Sequence, residues 1–400
     1  MFNLLTKLPL EVQKIFSIFN ADICLVGGAV RDLLLNKKVT DYDFCSLLTP
    51  KQVQEKLLQH NIKSLDINAK YGTIIALVGN FQLQITTART EKNFAGRACE
   101  VEFGTNNYKQ DAGRRDFTIN ALYLDFCGNV LDFYHGKQHL AEHKIEFIGD
   151  AKARIIEDHL RILRFFRFNI CYSNYYQTKQ LEVCLQHALL LSKISKPRIR
   201  EEMLKILLSF NYSKPIFPFL NDLADFTGWR FRIEILQKVI AKINPIENDI
   251  LLALALLDTN FDLNNMAKIL CLTRVEKKLF HHLKNHRKIF QNLDQQKISC
   301  QLMFVAINVE NNYLQKLLLF LWGENILSDA DYQKFLAESK VWQQKTLPIN
   351  VNDLINIGVQ KQHLRQSLQQ LKKIWAEQNL LLNKKQLLDL YTTSYLKSKI

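Results

Sequence analysis

Proline and glycine are scarce in this chain, seven and thirteen of 400 residues, and no repeat or low-complexity tract interrupts it, which excludes a fibrous or disordered protein. The eight cysteines (24, 45, 99, 127, 171, 184, 271 and 300) contain no C-x-x-C pair and no zinc-site spacing, so a disulfide scaffold and a zinc module are excluded too. Several of them lie in apolar runs, and the expectation is reduced, mostly buried thiols in a cytoplasmic protein. No apolar run reaches the length that spans a bilayer, and residues 1–21, with Lys7, Glu11 and Lys14 among apolar positions, read as an amphipathic helix. No membrane role is expected. Acid is in short supply as well: 39 Asp and Glu against 53 Lys and Arg leave a formal charge of +14, which favours a polyanionic partner. What is present is a 48% hydrophobic composition, enough for a sizeable core in two to four packed units.

Up to about residue 140, short strand-like segments (Ile23–Val26, 43–45, Thr73–Val78, 81–86, 121–126 and Val130–Asp132) alternate with helical ones, an α+β pattern. From about 150 the apolar period becomes 3.6 and the rest reads as helix. Pro197, Pro215, Pro218 and Pro245 mark helix ends, and 347–350 reads as a linker into a last helical pair whose sequence from Lys361 is rich in Lys and Arg.

The most informative run is Leu25-Val26-Gly27-Gly28-Ala29-Val30-Arg31-Asp32, followed by Asp41-Tyr42-Asp43-Phe44. If 42–45 is a strand, Asp41 and Asp43 project from one side, spaced to grip one or two divalent ions. Gly27 and Gly28 bring bare backbone N–H groups to a helix start, where a phosphate is stabilised. Metal carboxylates beside a phosphate cradle imply nucleotidyl transfer. Further on come Arg114-Arg115-Asp116-Phe117-Thr118-Ile119-Asn120, and then Glu157-Asp158-His159-Leu160-Arg161-Ile162-Leu163-Arg164. Guanidinium forks suit triphosphate oxygens, and a carboxylate with an amide suits ribose hydroxyls. On a helix Asp158 and Arg161 are i, i+3 neighbours, able to present an acceptor and a donor to a base edge or simply to form part of an ion-paired surface.

Taken in order, GGAVRD with DYD, RRDFTINAL, EDHLR and Ser195-Lys196-Pro197-Arg198-Ile199-Arg200-Glu201-Glu202 resemble the motifs of class II CCA-adding tRNA nucleotidyltransferases and bacterial poly(A) polymerases, over about residues 20–208. The resemblance implies an α+β nucleotidyltransferase head with a small mixed sheet (1–140), an all-α neck with a nucleotide-selecting helix (141–208), a body (209–346) and a basic tail that binds tRNA (347–400). It implies that Asp41 and Asp43 are catalytic and bind two Mg²⁺ ions, and that Gly27, Gly28 and Arg31 cradle the triphosphate. Arg115, Asp116 and Asn120 would select ribose, while Asp158 and Arg161 would pair with the base of CTP or ATP. Glu157, Arg164, Ser195, Arg198 and Glu202 would support the selecting helix, and Lys372, Lys373, Lys384 and Lys385 would hold RNA phosphates. The tRNA 3′ end and nucleoside triphosphates are the implied partners, with no obligate protein partner evident.

This chain departs from the motif pattern at Gln84, where relatives carry glutamate, so a third metal carboxylate is not expected. It departs again at His139, in place of aspartate, and at Ala151, in place of proline. The segment Gln84-Ile85-Thr86-Thr87-Ala88-Arg89 and the tail are closer to CCA-adding enzymes than to poly(A) polymerases. Residues 93–108, with Arg97 and Glu102, occupy the place of the flexible loop of full CCA enzymes. Poly(A) addition, a partial A-adding enzyme, and an idle RNA-binding protein stay as alternatives. His281, His282 and His286 lack the pattern of a phosphohydrolase domain and read as helix-surface residues.

Overall fold

The computed structural model describes residues 4–68, 72–95, 98–103, 107–173, 178–208, 271–308 and 311–397. Chain contacts divide it into two compact units, Met1–Pro215 and Ile216–Ile400.

The first unit is built on strands β1 (Ile23–Val26), β2 (Asp43–Ser46), β3 (Lys63–Asn68), β4 (Thr73–Val78), β5 (Phe81–Thr87), β8 (Leu122–Leu124) and β9 (Val130–Asp132). They form one mixed sheet in the order β3-β4-β5-β2-β1-β8-β9, in which only the β2–β5 pair is parallel. Helices α1 (Leu10–Phe19), α2 (Gly28–Leu34) and α3 (Pro50–Gln59) supply the apolar layer on one face. Val12, Ile15, Phe16 and Phe19 meet Leu25, Phe44, Ile74, Leu83 and Ile85 there, with Phe16 and Phe44 edge to face at 5.4 Å. Burial of each such side chain is worth about 1.5–3 kcal/mol. Burial alternates along β4, as a one-sided strand requires, whereas all four residues of β1 are buried. The far side of β1, Cys24 and Val26, packs on Cys45, Ala112, Ala121, Tyr123 and Ile148.

A separate hairpin, β6 (Arg89–Ala95) with β7 (Ala98–Phe103), stands where a loop was expected, and α4 (Tyr108–Gly113) follows. Arg97 lies outside the described residues. β3 was not anticipated either; it is an edge strand paired with β4 alone, its two apolar residues, Leu65 and Ile67, alternating with polar ones. After α5 (Gly136–Ala141) the chain turns helical with α6 (Ala151–Glu157), α7 (Arg161–Tyr172), α8 (Thr178–Gln186) and α9 (Lys196–Leu208). The aromatic face of α7 anchors them: Phe165 stacks on Phe147 at 5.6 Å, and Phe168 lies 5.3 Å from Phe117.

The second unit is helical throughout its described part: α10 (Arg274–Phe290), α11 (Gln295–Ala306), α12 (Asn311–Gly323), α13 (Asp329–Trp342), α14 (Val351–Asn356), α15 (Leu364–Glu377) and α16 (Lys384–Lys397). The link at 347–350 opens into three helices, not a pair, because Asn350 and Asp353 form a capping box that starts the short α14. Much of the expected body, 209–270, and with it Pro215, Pro218 and Pro245, lies outside the described residues. The α+β head and helical remainder read from the sequence are what the chain forms. Among seven described cysteines none is disulfide-bonded, but only Cys24, Cys45 and Cys184 are buried, fewer than their apolar surroundings implied. Among the described residues no helix is long and apolar enough to cross a membrane.

Gly136 opens α5 in the crook of the Thr118 turn, where Asp132 accepts its N–H at 2.8 Å. A Cβ there would overlap the Thr118 carbonyl oxygen and press on Leu122 Cδ2 at 3.0 Å. Gly136→Ala should therefore cost about 1–3 kcal/mol, the usual penalty of overpacking. Thermal unfolding of the full chain checks this; an unchanged midpoint would show that the turn yields freely.

Candidate nucleotide site

Gly27 ends β1 with φ +70° and caps α2, its N–H donating to the Leu122 carbonyl at 2.9 Å. Only glycine takes that φ without strain, and a Cβ would also come within 2.9 Å of Arg115 Nη1. Gly28 packs against the Arg31 guanidinium, 3.4 Å from where its Cβ would lie. On the neighbouring strand, Asp43 starts β2 with an exposed side chain that forms no ion pair among the described residues. The expectation that 42–45 forms one strand carrying both aspartates is corrected: β2 begins at Asp43, and Asp41 lies in the preceding coil, its Oδ2 accepting from Thr40 Oγ1 at 3.1 Å. The two carboxylates still feel one another. Desolvation raises the pKa of Asp43, Arg115 lowers it, and Asp41 raises it again. Gln84 pairs with Asp43 in parallel register, and no group of three His, Cys, Asp or Glu that could hold a metal occurs among the described residues.

The Arg114-Arg115 turn is no solvated loop. Fully buried Asp111, not anticipated from the sequence, accepts from Arg114 Nε at 2.8 Å, from Arg115 Nη2 at 3.3 Å and from the Tyr123 hydroxyl at 2.5 Å. Arg115 is fixed further by Tyr123 and by the Asn120 carbonyl, at 3.0 and 3.3 Å, which aims it at the Gly27 turn. Burial pushes Asp111 up, but Arg114, Arg115 and the Tyr123 hydroxyl outweigh it and hold the carboxyl at about 2.

Asp116 is buried at the next step. Its oxygens accept from the Phe117 N–H at 2.8 Å, Asn120 Nδ2 at 3.0 Å and Arg164 Nε at 2.6 Å. Here too burial raises the pKa and Arg164, with these hydrogen bonds, brings it down to about 2. Asn120 Oδ1 in turn accepts from Arg31 Nη1 at 2.6 Å, and Arg31 closes a fork on Asp32 through Nε and Nη2 at 2.9 and 3.0 Å.

Asp158 and Arg161 do not share a helix, contrary to expectation. Asp158 ends α6 in an extended conformation (φ −145°, ψ 103°), Leu160 is the N-cap of α7, and Arg161 is the first residue of that second helix. Arg198 Nη2 from α9 donates to both Asp158 oxygens at 3.0 and 2.8 Å. Arg161 is held by Glu157 at 2.6 Å and by the Arg114 carbonyl at 3.0 Å, and Glu157 also takes Arg154 at 2.8 Å. Glu202 pairs with Arg167 at 2.5 Å, and the Ser195 carbonyl accepts the first N–H groups of α9.

These elements enclose a cleft of about 570 Å³ lined by Gly27, Gly28, Arg31, Asp43, Arg114, Arg115, Asp116, Asn120, Asp158, Leu160, Arg161, Arg164, Arg167, Phe168, Arg198, Glu201, Glu202 and Lys205. Asp41, Glu157 and Ser195 are not among the residues that line it. His139 is a packing residue, its Nδ1 2.8 Å from Thr118 Oγ1. In the second unit Lys372 is tied to Asn308 at 2.9 Å and Lys384 to Asp353 at 2.5 Å, while Lys373 and Lys385 are exposed. Sequence reasoning missed Asp32, Asp111, Tyr123 and Arg167. The only available signal was the surplus of arginines around them, which need counter-charges if buried.

The Asp111 pKa sets a pH dependence. Its folded value, about 2 against an ordinary 3.8, means its stabilisation is complete above pH 4 and is lost as pH falls toward 2. Asp111→Asn should lower stability at pH 7 by roughly 2 kcal/mol or more, and the gap to the unaltered protein should narrow below pH 4. Urea midpoints from pH 7 to pH 3 check this; a gap constant with pH would show that the charge is not what holds the turn.

The sequence pattern of the Poly A polymerase head domain matches residues 23–146, and that described as "Probable RNA and SrmB- binding site of polymerase A" matches 178–221. The CCA-adding enzyme of Lactobacillus helveticus is 36% identical over 217 residues, 52% of this chain and 53% of that enzyme. The structure of the Bacillus stearothermophilus CCA-adding enzyme in complex with CTP aligns with a TM-score of 0.70, covering 98% of this chain and 100% of that one at 18% identity. The Thermotoga maritima enzyme complexed with tRNA gives 0.69, covering 98% of each at 19% identity. At such identities the likeness is one of fold. Homo sapiens CCA tRNA nucleotidyltransferase 1, mitochondrial, is 30% identical over 392 residues, 94% of this chain and 88% of the human protein. Because that similarity runs through the head, the neck and the helical second unit alike, the chain belongs to the CCA tRNA nucleotidyltransferase family.

Proposed function

We infer that this protein adds or repairs the 3′-terminal CCA of tRNA, taking CTP and ATP and releasing pyrophosphate. The observation that carries the reading is the convergence on one cleft of the Gly27-Gly28 turn, Asp43, the Asp116–Asn120 pair, and Asp158 with Arg161.

Asp43, whose carboxylate forms no ion pair among the described residues, and Asp41, which it senses electrostatically, are a donor pair suited to Mg²⁺. When bound, two such ions would lower the pKa of the RNA 3′-hydroxyl and neutralise charge on the departing pyrophosphate. The chain's own residues do the rest. Gly27, Gly28 and the Arg115 fork receive the phosphates; Arg31 has one N–H on each of Nη1 and Nη2 beyond those used by Asp32 and Asn120. Ribose selection is assigned to Asp116, Asn120 and Arg164 as a unit, since the Asp116 oxygens are committed to the other two. Asp158 and Arg161 read the base, the first oriented by Arg198 and the second by Glu157. Glu202 steadies α7 through Arg167. In the tail, Lys373 and Lys385 are the better phosphate contacts, because Lys372 and Lys384 already have partners within the protein. A cytoplasmic setting is part of this reading, and the seven described cysteines are unpaired.

The direct test offers transcripts ending before CCA, before the final A, and complete, each with single nucleotides. Extension of the first by CTP and of the second by ATP, with the third left alone, is expected; A-tails on the complete transcript would indicate poly(A) synthesis instead. Asp41→Ala and Asp43→Ala should each abolish addition by several orders of magnitude while tRNA binding persists, since metal-assisted charge stabilisation dominates such reactions. Near-normal turnover of either variant with Mg²⁺ would refute the assignment.

A second prediction concerns nucleotide choice. Asp158→Ala or Arg161→Ala should blur discrimination among CTP, ATP, UTP and GTP by about 1–3 kcal/mol, more than they weaken RNA binding. Competition assays that return unaltered nucleotide ratios would leave both residues as structural ion-pair members.

A further inference from the structure

Arg31 is 7% exposed, and two of its three nitrogens are committed to Asp32. What covers the face of its guanidinium is Tyr172, the last residue of α7 and one with no role in the scheme above. The Arg31 Cζ stands 4.2 Å from the Tyr172 ring centroid, a cation–π contact. The Tyr172 hydroxyl donates to Asp32 Oδ1 at 3.0 Å, the oxygen that also receives Arg31 Nε. One side chain thus fixes both the guanidinium plane and the carboxylate that locks it. Phe168, one turn earlier, stacks on Tyr172 at 5.8 Å and lies 5.3 Å from the same guanidinium.

We propose that Tyr172 is a positioning residue for the nucleotide triphosphate, holding Arg31 in place beside the Gly27-Gly28 turn. The proposal rests on the nucleotidyl-transfer reading of the cleft. An arginine free to rotate gives up rotamer entropy when it meets a phosphate; one pressed between an aromatic face and a carboxylate has already lost it. Because the phosphates are common to all nucleotides, Tyr172 acts on affinity for CTP and ATP alike and leaves the choice between them to the other end of α7, where Arg161 sits. A residue that merely filled the core would change stability and leave this pattern absent.

The test compares Tyr172→Leu, which removes stack and hydroxyl, with Tyr172→Phe, which keeps the stack, in the full-length protein with a tRNA transcript lacking CCA. For Tyr172→Leu, KM for CTP and for ATP should rise by one common factor, about three- to thirtyfold, with kcat little changed. Inhibition by inorganic pyrophosphate, a probe without a base, should weaken by that same factor, and the CTP-to-ATP ratio should stay as it was. Tyr172→Phe, which loses only the hydrogen bond to Asp32, should show a smaller common rise than Tyr172→Leu. A change confined to one nucleotide, a fall in kcat at unchanged KM, or unaltered pyrophosphate inhibition would each overturn the proposal. Should the leucine variant fail to fold, Tyr172→Phe decides alone: a common rise of about two- to tenfold from the lost hydrogen bond supports it, and no change overturns it. An unaltered protein that extends no transcript refutes the parent reading, whereas an active one whose variants keep normal KM refutes only the role of Tyr172.

Discussion

Guanidinium groups crowded into one cleft repel one another, and the architecture of this site depends on the carboxylates set between them. Arg31 closes on Asp32, Arg114 and Arg115 on Asp111, Arg154 and Arg161 on Glu157, Arg164 on Asp116, Arg167 on Glu202 and Arg198 on Asp158. Desolvating such pairs costs free energy that their attraction only partly offsets, so they are poor devices for stability and good ones for aim. Apart from Arg154, which does not line the cleft, each fork reaches it with a fixed plane. The sheet beneath supplies the apolar burial that makes the arrangement affordable.

Helix α7 organises this lattice lengthwise. Arg161, Arg164, Phe168 and Tyr172 fall three and four residues apart along one stripe, while Ile162, Leu163, Phe165, Phe166 and Ile170 are buried. The stripe meets the Arg114 carbonyl at Arg161, Asp116 at Arg164 and Arg31 with Asp32 at Tyr172. Two chain segments distant in sequence, 31–32 and 114–116, are therefore registered against a single rigid rod.

Most of the fold was legible where side-chain period and one-sided burial coincide. Strands β1, β4 and β5 and helix α1 fall where their apolar patterns place them, and the demand for glycine at 27 is met by its positive φ. The break between α6 and α7 was not legible, because Glu157-Asp158-His159-Leu160 contains neither proline nor glycine and the apolar period runs straight through it. It is tertiary: Arg198 draws Asp158 out of the helix from a segment 40 residues away. Asp111 failed to stand out for a similar reason. A carboxylate in a polar stretch is ordinarily solvated; Arg114 and Arg115 are its i+3 and i+4 neighbours, but only the fold buries it and brings Tyr123 against it. β6 carries no apolar alternation, whereas β7 does, with Cys99, Val101 and Phe103 alternating with Glu100 and Glu102, so only half of this hairpin was legible.

The pairing of β1 with β8, Leu25 against Leu124, spans roughly a hundred residues of chain, and β1 is otherwise bonded only to β2. Such a distant partner makes the closure of this sheet slow compared with its local hairpins. On a ribosome the strands bearing the Gly27 turn and Asp43 emerge long before β8, and until it arrives the central strand keeps one open, wholly apolar edge. The head of the protein becomes able to bind a nucleotide only as a finished object, and the nascent fragment, rich in unpaired strand edge, is the form in which this chain is most exposed to aggregation.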